Sequence, residues 1–313
     1  MAVFAPSPVL TITVESLAPG EDEIHIHAGG QGFWVARLAA ILGAEVTLCA
    51  ALGGESGRVL GELLAGEGPQ LRAVPAASPN GSYIHDRRSG VRETVAAVAS
   101  PRLQRHEVDE LFGAMTAAAL TSDVAVLTGP ENERVMPADV FRRLASDLRS
   151  NGVAVIGDLT GAALESALAG GLDLLKLSHE ELGLLAEEPL DSLSRFSEAI
   201  DRLRSQGADN VVISRAEQPA LAKIGGDLLE LRGPRFEPVD PHGTGDSMVA
   251  ALAVGVARRL ELPAVLALGV AAGALNATRR GLGSGQRVDI ERLAEAVEVR
   301  PLTAPEIAEQ AVR

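Results

Sequence analysis

Val239-Asp240-Pro241-His242-Gly243-Thr244-Gly245-Asp246-Ser247-Met248-Val249-Ala250-Ala251-Leu252 is the stretch on which the reading of this chain turns. Pro241 and two glycines favour a turn, because proline presets one backbone angle and glycine reaches angles that other residues avoid. From Asp246 onward Met248, Val249, Leu252, Val256 and Leu260 recur at helical spacing. A small-residue loop therefore opens directly into a helix. The free N–H groups at such a start, with the positive end of the helix dipole, attract phosphate oxygens. Asp246 stands at that mouth, where its carboxylate could accept the proton of a hydroxyl attacking a phosphate. An anion cradle beside a carboxylate is the minimum apparatus for phosphoryl transfer. An Asp at a helix start also serves as a plain cap or dipole partner, so the surrounding chain has to decide.

Upstream, from residue 106, the rhythm is regular. Helix 106–120 leads to strand 123–127, a helix starting at Pro137 leads to strand 153–158, and helix 161–169 leads to strand 172–176. Helix 192–206 then leads to strand 210–214. Short apolar strands alternating with helices predict a parallel sheet covered on both faces. Residues 219–224 and 227–232, joined by Gly225-Gly226, read as a hairpin. Helices 246–260 and 263–279 follow, and a last one begins near Asp289. Before residue 106 the pattern is looser. Strands are expected at 2–14, 22–28, 45–50, 81–86 and 91–98, with a helix through Val35, Leu38, Ala39 and Leu42 and another near 57–66. The early strands outside the β-α rhythm, drawn from about 9–28 and 80–98, are candidates for a small lid sheet. With no repeat or obvious linker, residues 1–313 read as one domain.

Apolar residues make up 46% of the 313-residue chain and aromatics only 3%, so the core must be aliphatic and rich in alanine. The formal net charge of −14 argues against nucleic acid or an anionic membrane as partner. An anionic substrate would therefore depend on backbone amides or on locally placed cations. Lys176 and Lys223 are the only lysines, and Cys49 is the only cysteine, which excludes internal disulfides and suits a reducing cytosol. The N-terminus lacks the pattern of a signal peptide, and the longest apolar run, 264–277, is too short to span a bilayer. A cytoplasmic protein is expected.

The stretch around Asp246 resembles the signature of the PfkB (ribokinase-like) carbohydrate kinases, Asp-Thr-x-Gly-Ala-Gly-Asp. It maps onto Asp240 to Asp246, with Pro241 and Thr244 as departures. Gly29-Gly30-Gln31-Gly32-Phe33-Trp34-Val35-Ala36-Arg37, with Leu42-Gly43 and Gly53-Gly54-Glu55-Ser56-Gly57, resembles the N-terminal motif of the same family. Ala5-Pro6-Ser7 is similar to the first strand's end in the 1-phosphofructokinase and tagatose-6-phosphate kinase branch. The resemblance implies an α/β, ribokinase-like fold: a doubly wound, mainly parallel sheet with helices on both faces and a β lid. It further implies ATP, Mg²⁺ and a small carbohydrate-like substrate bound beneath the lid. Gly243, Thr244 and Gly245 would form the anion hole, and Asp246 would be the catalytic base.

The same resemblance assigns the remaining candidates. Lys176 would lie near phosphate, and Glu181 would act on Mg²⁺ through water, although Ser178-x-x-Glu181 is equally a capping box. Asp158, at another strand end, is a second candidate for that shell. Ser214 opens the nucleotide loop, whose two usual glycines are missing from 214–220. Asn276 either borders adenine or packs its helix. Asp240 either helps hold a monovalent cation or initiates a turn. Gly29, Gly30, Gln31 and Trp34 would meet the substrate, although Trp34 is equally a plain core residue. Gln31 stands where the family often has Lys and Trp34 where it has Asn. Asn80 replaces an expected arginine, with Arg88 and Arg92 nearby. These exchanges leave the acceptor open between a hexose, a hexose phosphate and a nucleoside. A non-catalytic sugar or nucleotide sensor on the same fold is the reading from a different class. His25-x-His27 offers two imidazoles without a third ligand, which favours a lid surface over a metal site. Lid strands such as 22–28 would have exposed edges that a second copy could cover, giving a homodimer.

Overall fold

Four- to eight-residue runs rich in Val, Leu, Ala and Ile, cut by glycine and proline, become strands whose alternate side chains enter two different cores. The computed structural model describes residues 1–18, 20–186, 188–279 and 281–309. In chain order the strands of the first half are β1 (Ala2–Ala5), β2 (Val9–Ala18), β3 (Glu21–Gly29), β4 (Thr47–Gly53), β5 (Gln70–Ala76), β6 (Ser82–Asp86) and β7 (Glu93–Val98). Those of the second half are β8 (Val124–Thr128), β9 (Ala154–Asp158), β10 (Leu172–Ser178), β11 (Ala208–Arg215), β12 (Gln218–Ile224), β13 (Asp227–Arg232) and β14 (Glu298–Pro301). The helices are α1 (Gln31–Ile41), α2 (Gly54–Ala65), α3 (Arg105–Ala119), α4 (Asp139–Ser150), α5 (Gly161–Gly170), α6 (His179–Leu185), α7 (Leu193–Ser205), α8 (Thr244–Ala257), α9 (Leu262–Ala277), α10 (Arg287–Ala294) and α11 (Ala304–Glu309).

A ten-stranded sheet runs β14-β13-β12-β11-β10-β9-β8-β1-β4-β5, parallel from β5 to β11 and antiparallel from β11 to β14. Successive residues of one strand go to opposite faces. Phe4 and Leu127 join α3, α4, α5 and α7 in one core, whereas Val3 and Val126 join α1, α8, α9 and α10 in the other. The expected doubly wound α/β architecture is therefore present. Helices α8 and α9 are apolar on every side because they are buried on every side, α8 packing between α9, α1 and the sheet. Among the described residues no helix is long and apolar enough to cross a membrane.

Two differences from the sequence reading have clear causes. Residues 2–14 form not one strand but two, because Pro6 and Pro8 cannot donate ladder hydrogen bonds. β1 stays at the centre of the large sheet, and β2 leaves for a separate four-stranded sheet, β3-β2-β6-β7. That second sheet is built from the segments expected to form a lid. Three elements escaped the sequence reading altogether: the edge strands β5 and β14 and the short helix α11. Edge strands carry little apolar alternation, and Pro75 within β5 is tolerated because one side of an edge strand needs no partner.

The small sheet has two unlike faces. Register places Ile26, Ile12, Ile84 and Ala96 side by side on one face, and His27, Thr11, Tyr83 and Ala97 on the other. Thr11, Thr13 and His85 of the second face are buried, while Ile24 and Ile26 of the first are 64% and 52% exposed.

Candidate active site

The carboxyl ends of β9 and β10 meet the N-terminus of α8, the position at which open α/β sheets gather ligands. Register sets Leu175 beside Gly157. The next residues, Lys176 and Asp158, are thereby brought together inside the protein, with Nζ 3.7 Å from Oδ1. Gly243 caps α8 at a φ of 72°, in the left-handed region that suits glycine. The first-turn N–H groups of Gly245 and Asp246 consequently face the same space with no intrahelical acceptor. A Cβ at Gly245 would collide with Lys176 Nζ, so the glycine admits the lysine to the cradle.

Electrostatics bind this group into one unit. Burial disfavours the Lys176 charge, but Asp158, Glu181 and Asp246 outweigh it and raise its pKa. Asp246 retains partial exposure, yet desolvation and the charges of Asp158 and Glu181 push its carboxyl up to about 7, against the opposing pull of Lys176. Asp158 is 2% exposed and is likewise raised by burial. Three carboxylates around one ammonium leave a buried site short of positive charge, which fits a cation arriving with ATP phosphates. Magnesium sites typically take one or two carboxylates plus phosphate oxygens. Among the described residues no group of three or more His, Cys, Asp or Glu could hold a metal alone.

Glu181 completes the capping box of α6: its Oε2 accepts from Ser178 N at 2.6 Å, and its N–H donates to Ser178 Oγ at 3.1 Å. The structural role anticipated for this pair is real, and Glu181 also stands close enough to act on all three charged neighbours. Ser214 is the last residue but one of β11, with Oγ 3.5 Å from Leu177 O. Beyond it the chain turns tightly through Ala216, at φ 47°, and Arg215 folds inward, donating from Nε to Pro219 O at 2.6 Å. Asn276 donates from Nδ2 to His242 O at 2.8 Å and accepts from Gly283 N at 3.2 Å. It pins two loops together at the mouth of the cradle.

On the other side of the cluster, Gly30 caps α1 at φ 104°, and a cavity of ≈ 200 Å³ lies between the start of α1, residues 5–9 and the segment after β8. Gln31 is its link to the charged group: Nε2 donates to Asp158 Oδ2 at 2.7 Å, and Oε1 accepts from Gly129 N at 3.2 Å. Gly29 sits against Thr11 Oγ1 and Val9, leaving no room for a Cβ. Trp34 is core, 7% exposed, against Phe33 at 4.9 Å between ring centroids and His27 at 6.3 Å. Its neighbour Phe33 lines the cavity instead. Asn80 is consumed by the backbone, accepting from Gly53 N and donating to Pro8 O and Ala51 O. Arg88 pairs with Asp86 and Asp22 at the surface, and Arg92 reaches His85 Nε2 at 2.7 Å.

Glu131 is a cavity residue that sequence reasoning missed. Burial opposes its charge, but bonds from Tyr83, Ser100 and Asn132 outweigh that and lower its pKa. Its position just past the end of β8 was the available signal. Arg87 was missed as well. From the turn after β6 it crosses to the main body, placing Nη2 2.6 Å from Asp240 Oδ2.

A family model described as pfkB family carbohydrate kinase matches residues 10–288. The chain is 32% identical over 273 residues to ATP-dependent 6-phosphofructokinase isozyme 2 of Mycobacterium tuberculosis (strain ATCC 25618 / H37Rv), covering 85% of this chain and 79% of that protein. It is 28% identical over 306 residues to 1-phosphofructokinase of Vibrio cholerae, covering 95% of both. Among solved structures, that of phosphofructokinase-2 from Escherichia coli in complex with potassium superposes with a TM-score of 0.83 at 25% identity, covering 95% of this chain and 98% of the other.

Proposed function

The chain belongs to the pfkB family of carbohydrate kinases, and from that membership we propose that it transfers the γ-phosphoryl group of ATP to a hydroxyl of a small sugar or sugar phosphate. The observation that carries the reading is the meeting of Asp246, the α8 amides and Lys176 at one point, with a cavity adjoining through Gln31. The acceptor occupies that cavity, under the small sheet acting as a lid, with Gly30 and Gln31 beside it. Asp246 takes the proton of the attacking hydroxyl, a role suited to a pKa near the working pH. The amides of Gly243, Gly245 and Asp246, with Lys176, hold the charge on the transferring phosphate, whereas the Thr244 N–H, expected to join them, already donates to Pro241 O at 3.4 Å. Glu181 would hold Mg²⁺ through a water, and the ion would offset the charge of the ATP phosphates. Ser214 and Asn276 stand on the nucleotide side.

The outer face of the lid, with Ile24 and Ile26 exposed, suits a second copy of the chain, giving a homodimer. A reducing cytoplasm suits a chain whose one thiol, Cys49, is buried and pushed up to about 12 by burial.

The test is ADP release from Mg-ATP across hexoses, hexose phosphates, pentoses and nucleosides, with Asp246→Asn as control. Turnover with one class, reduced at least ~100-fold in the mutant, is expected. Silence with every acceptor while ATP still raises Tm would replace the kinase by a ligand sensor.

A further inference from the structure

Asp240 lies three residues before the glycine that caps α8 and is 6% exposed. Its N–H is tied to Ala277 O at 3.1 Å, so the carboxylate cannot swing away without disturbing the loop. A buried, unpaired carboxylate so near the phosphate cradle would repel the phosphate and destabilise the fold. Some positive charge must answer it, and a monovalent cation is one solution, potassium being present with the Escherichia coli relative.

The donor set here does not fit such an ion. Oδ2 accepts from Arg87 Nη2 at 2.6 Å. Oδ1 accepts from His242 N at 3.1 Å and lies 2.6 Å from His242 Nδ1. Burial works against the Asp240 charge, yet these bonds outweigh it and hold the carboxyl below its ordinary range. A metal ion seated on either oxygen would have to displace them and face the guanidinium.

Arg87 is itself well placed for the task. Its N–H donates to Val14 O at 2.8 Å, anchoring it to the small sheet, and Nη1 lies 3.7 Å from Glu15. The side chain is 23% exposed against 8% for that of Asp240, so the pair is shielded from solvent screening. Arg92, just before β7, adds further positive charge toward Asp240.

We propose that the Arg87 guanidinium takes the place of a monovalent cation at Asp240, so that phosphoryl transfer by this chain is independent of potassium and the required charge is delivered by the closed lid. This rests on the kinase reading above. It is tested by ADP release in KCl, NaCl and choline chloride at equal ionic strength, with amide hydrogen exchange of residues 239–247 in the same salts. The native chain should give the same turnover within about twofold and the same exchange in all three. Arg87→Met should lose about tenfold or more in choline chloride, exchange faster over 239–247, and recover both in KCl. Arg87→Lys should keep its indifference to potassium.

A native chain activated tenfold by KCl overturns the proposal. So does an Arg87→Met chain equal to native in choline chloride, or one that KCl fails to restore. If Arg87→Met does not fold, the comparison of native and Arg87→Lys chains across the three salts still decides. No turnover by the native chain in any salt would instead sink the kinase reading, and the exchange data would still report on the loop.

Discussion

Desolvation, with the neighbouring charges of Asp158 and Glu181, brings the Asp246 carboxyl up to about 7, and this has opposite consequences for chemistry and for stability. In the proposed role of general base Asp246 must be ionised, so kcat/KM should rise with pH along a limb centred near 7. A pH–rate profile already flat from pH 5 upward would refute the assignment. For stability, the folded state holds this proton more tightly than the unfolded chain, whose carboxyl stays near 3.8. Stability is therefore full below about 4 and declines as pH rises through 7. Asp246→Asn, which has no proton to lose, should melt several degrees above the native chain at pH 8 and no higher at pH 4. Calorimetry at the two pH values checks this. The positions of Gly243 and Asp246 at a helix start and of Lys176 near a strand end were legible in the sequence because those signals are local. The partners of Gln31 and Arg87 were not. Gln31 meets Asp158 across 127 residues and Arg87 meets Asp240 across 153, and no spacing rule in one chain links positions so far apart.

The start of α8 is the element on which the site depends, because one short turn presents amides and a carboxylate and admits Lys176 of β10 beside them. Gly245→Ala would drive a methyl into Lys176 Nζ, which Asp158 holds from the other side. The lysine must then shift. Since misplacing a catalytic group by about 1 Å can cost on the order of 10²-fold, kcat should fall by roughly that factor with the sugar KM little changed. Steady-state kinetics on the variant test this, and a raised KM with native kcat would contradict it. Elements with strong periodicity were readable at this scale, including the strands from β8 to β11 with their helices and the hairpin of β12 and β13. The break between β1 and β2 was visible as Pro6 and Pro8, yet nothing local told that the two halves join different sheets. β5 and β14 sit at the sheet's edges, half in solvent, where burial imposes no pattern to read.

At the scale of the whole molecule, the apolar row of Ile26, Ile12, Ile84 and Ala96 faces away from the buried threonines of the small sheet. If a second copy covers that face, Ile26→Glu should convert a dimer to a monomer in sedimentation equilibrium. A native chain that sediments as a monomer would end the proposal. The fold class followed from the β-α alternation, whereas the pairing of sheets and copies depends on surfaces that composition averages away.

The position of β1 carries a consequence for how the protein is made. This strand ends at Ala5 and lies between β4 and β8, yet β8 begins only at Val124. At roughly 5–20 residues per second, the ribosome needs about 6 to 24 seconds to bridge that gap. Throughout that interval the strand destined for the middle of the sheet has an open flank of Val3, Phe4 and Ala5. The nascent chain is thus most exposed to mispairing at this strand, and a holdase that binds short apolar segments would act on Val3, Phe4 and Ala5.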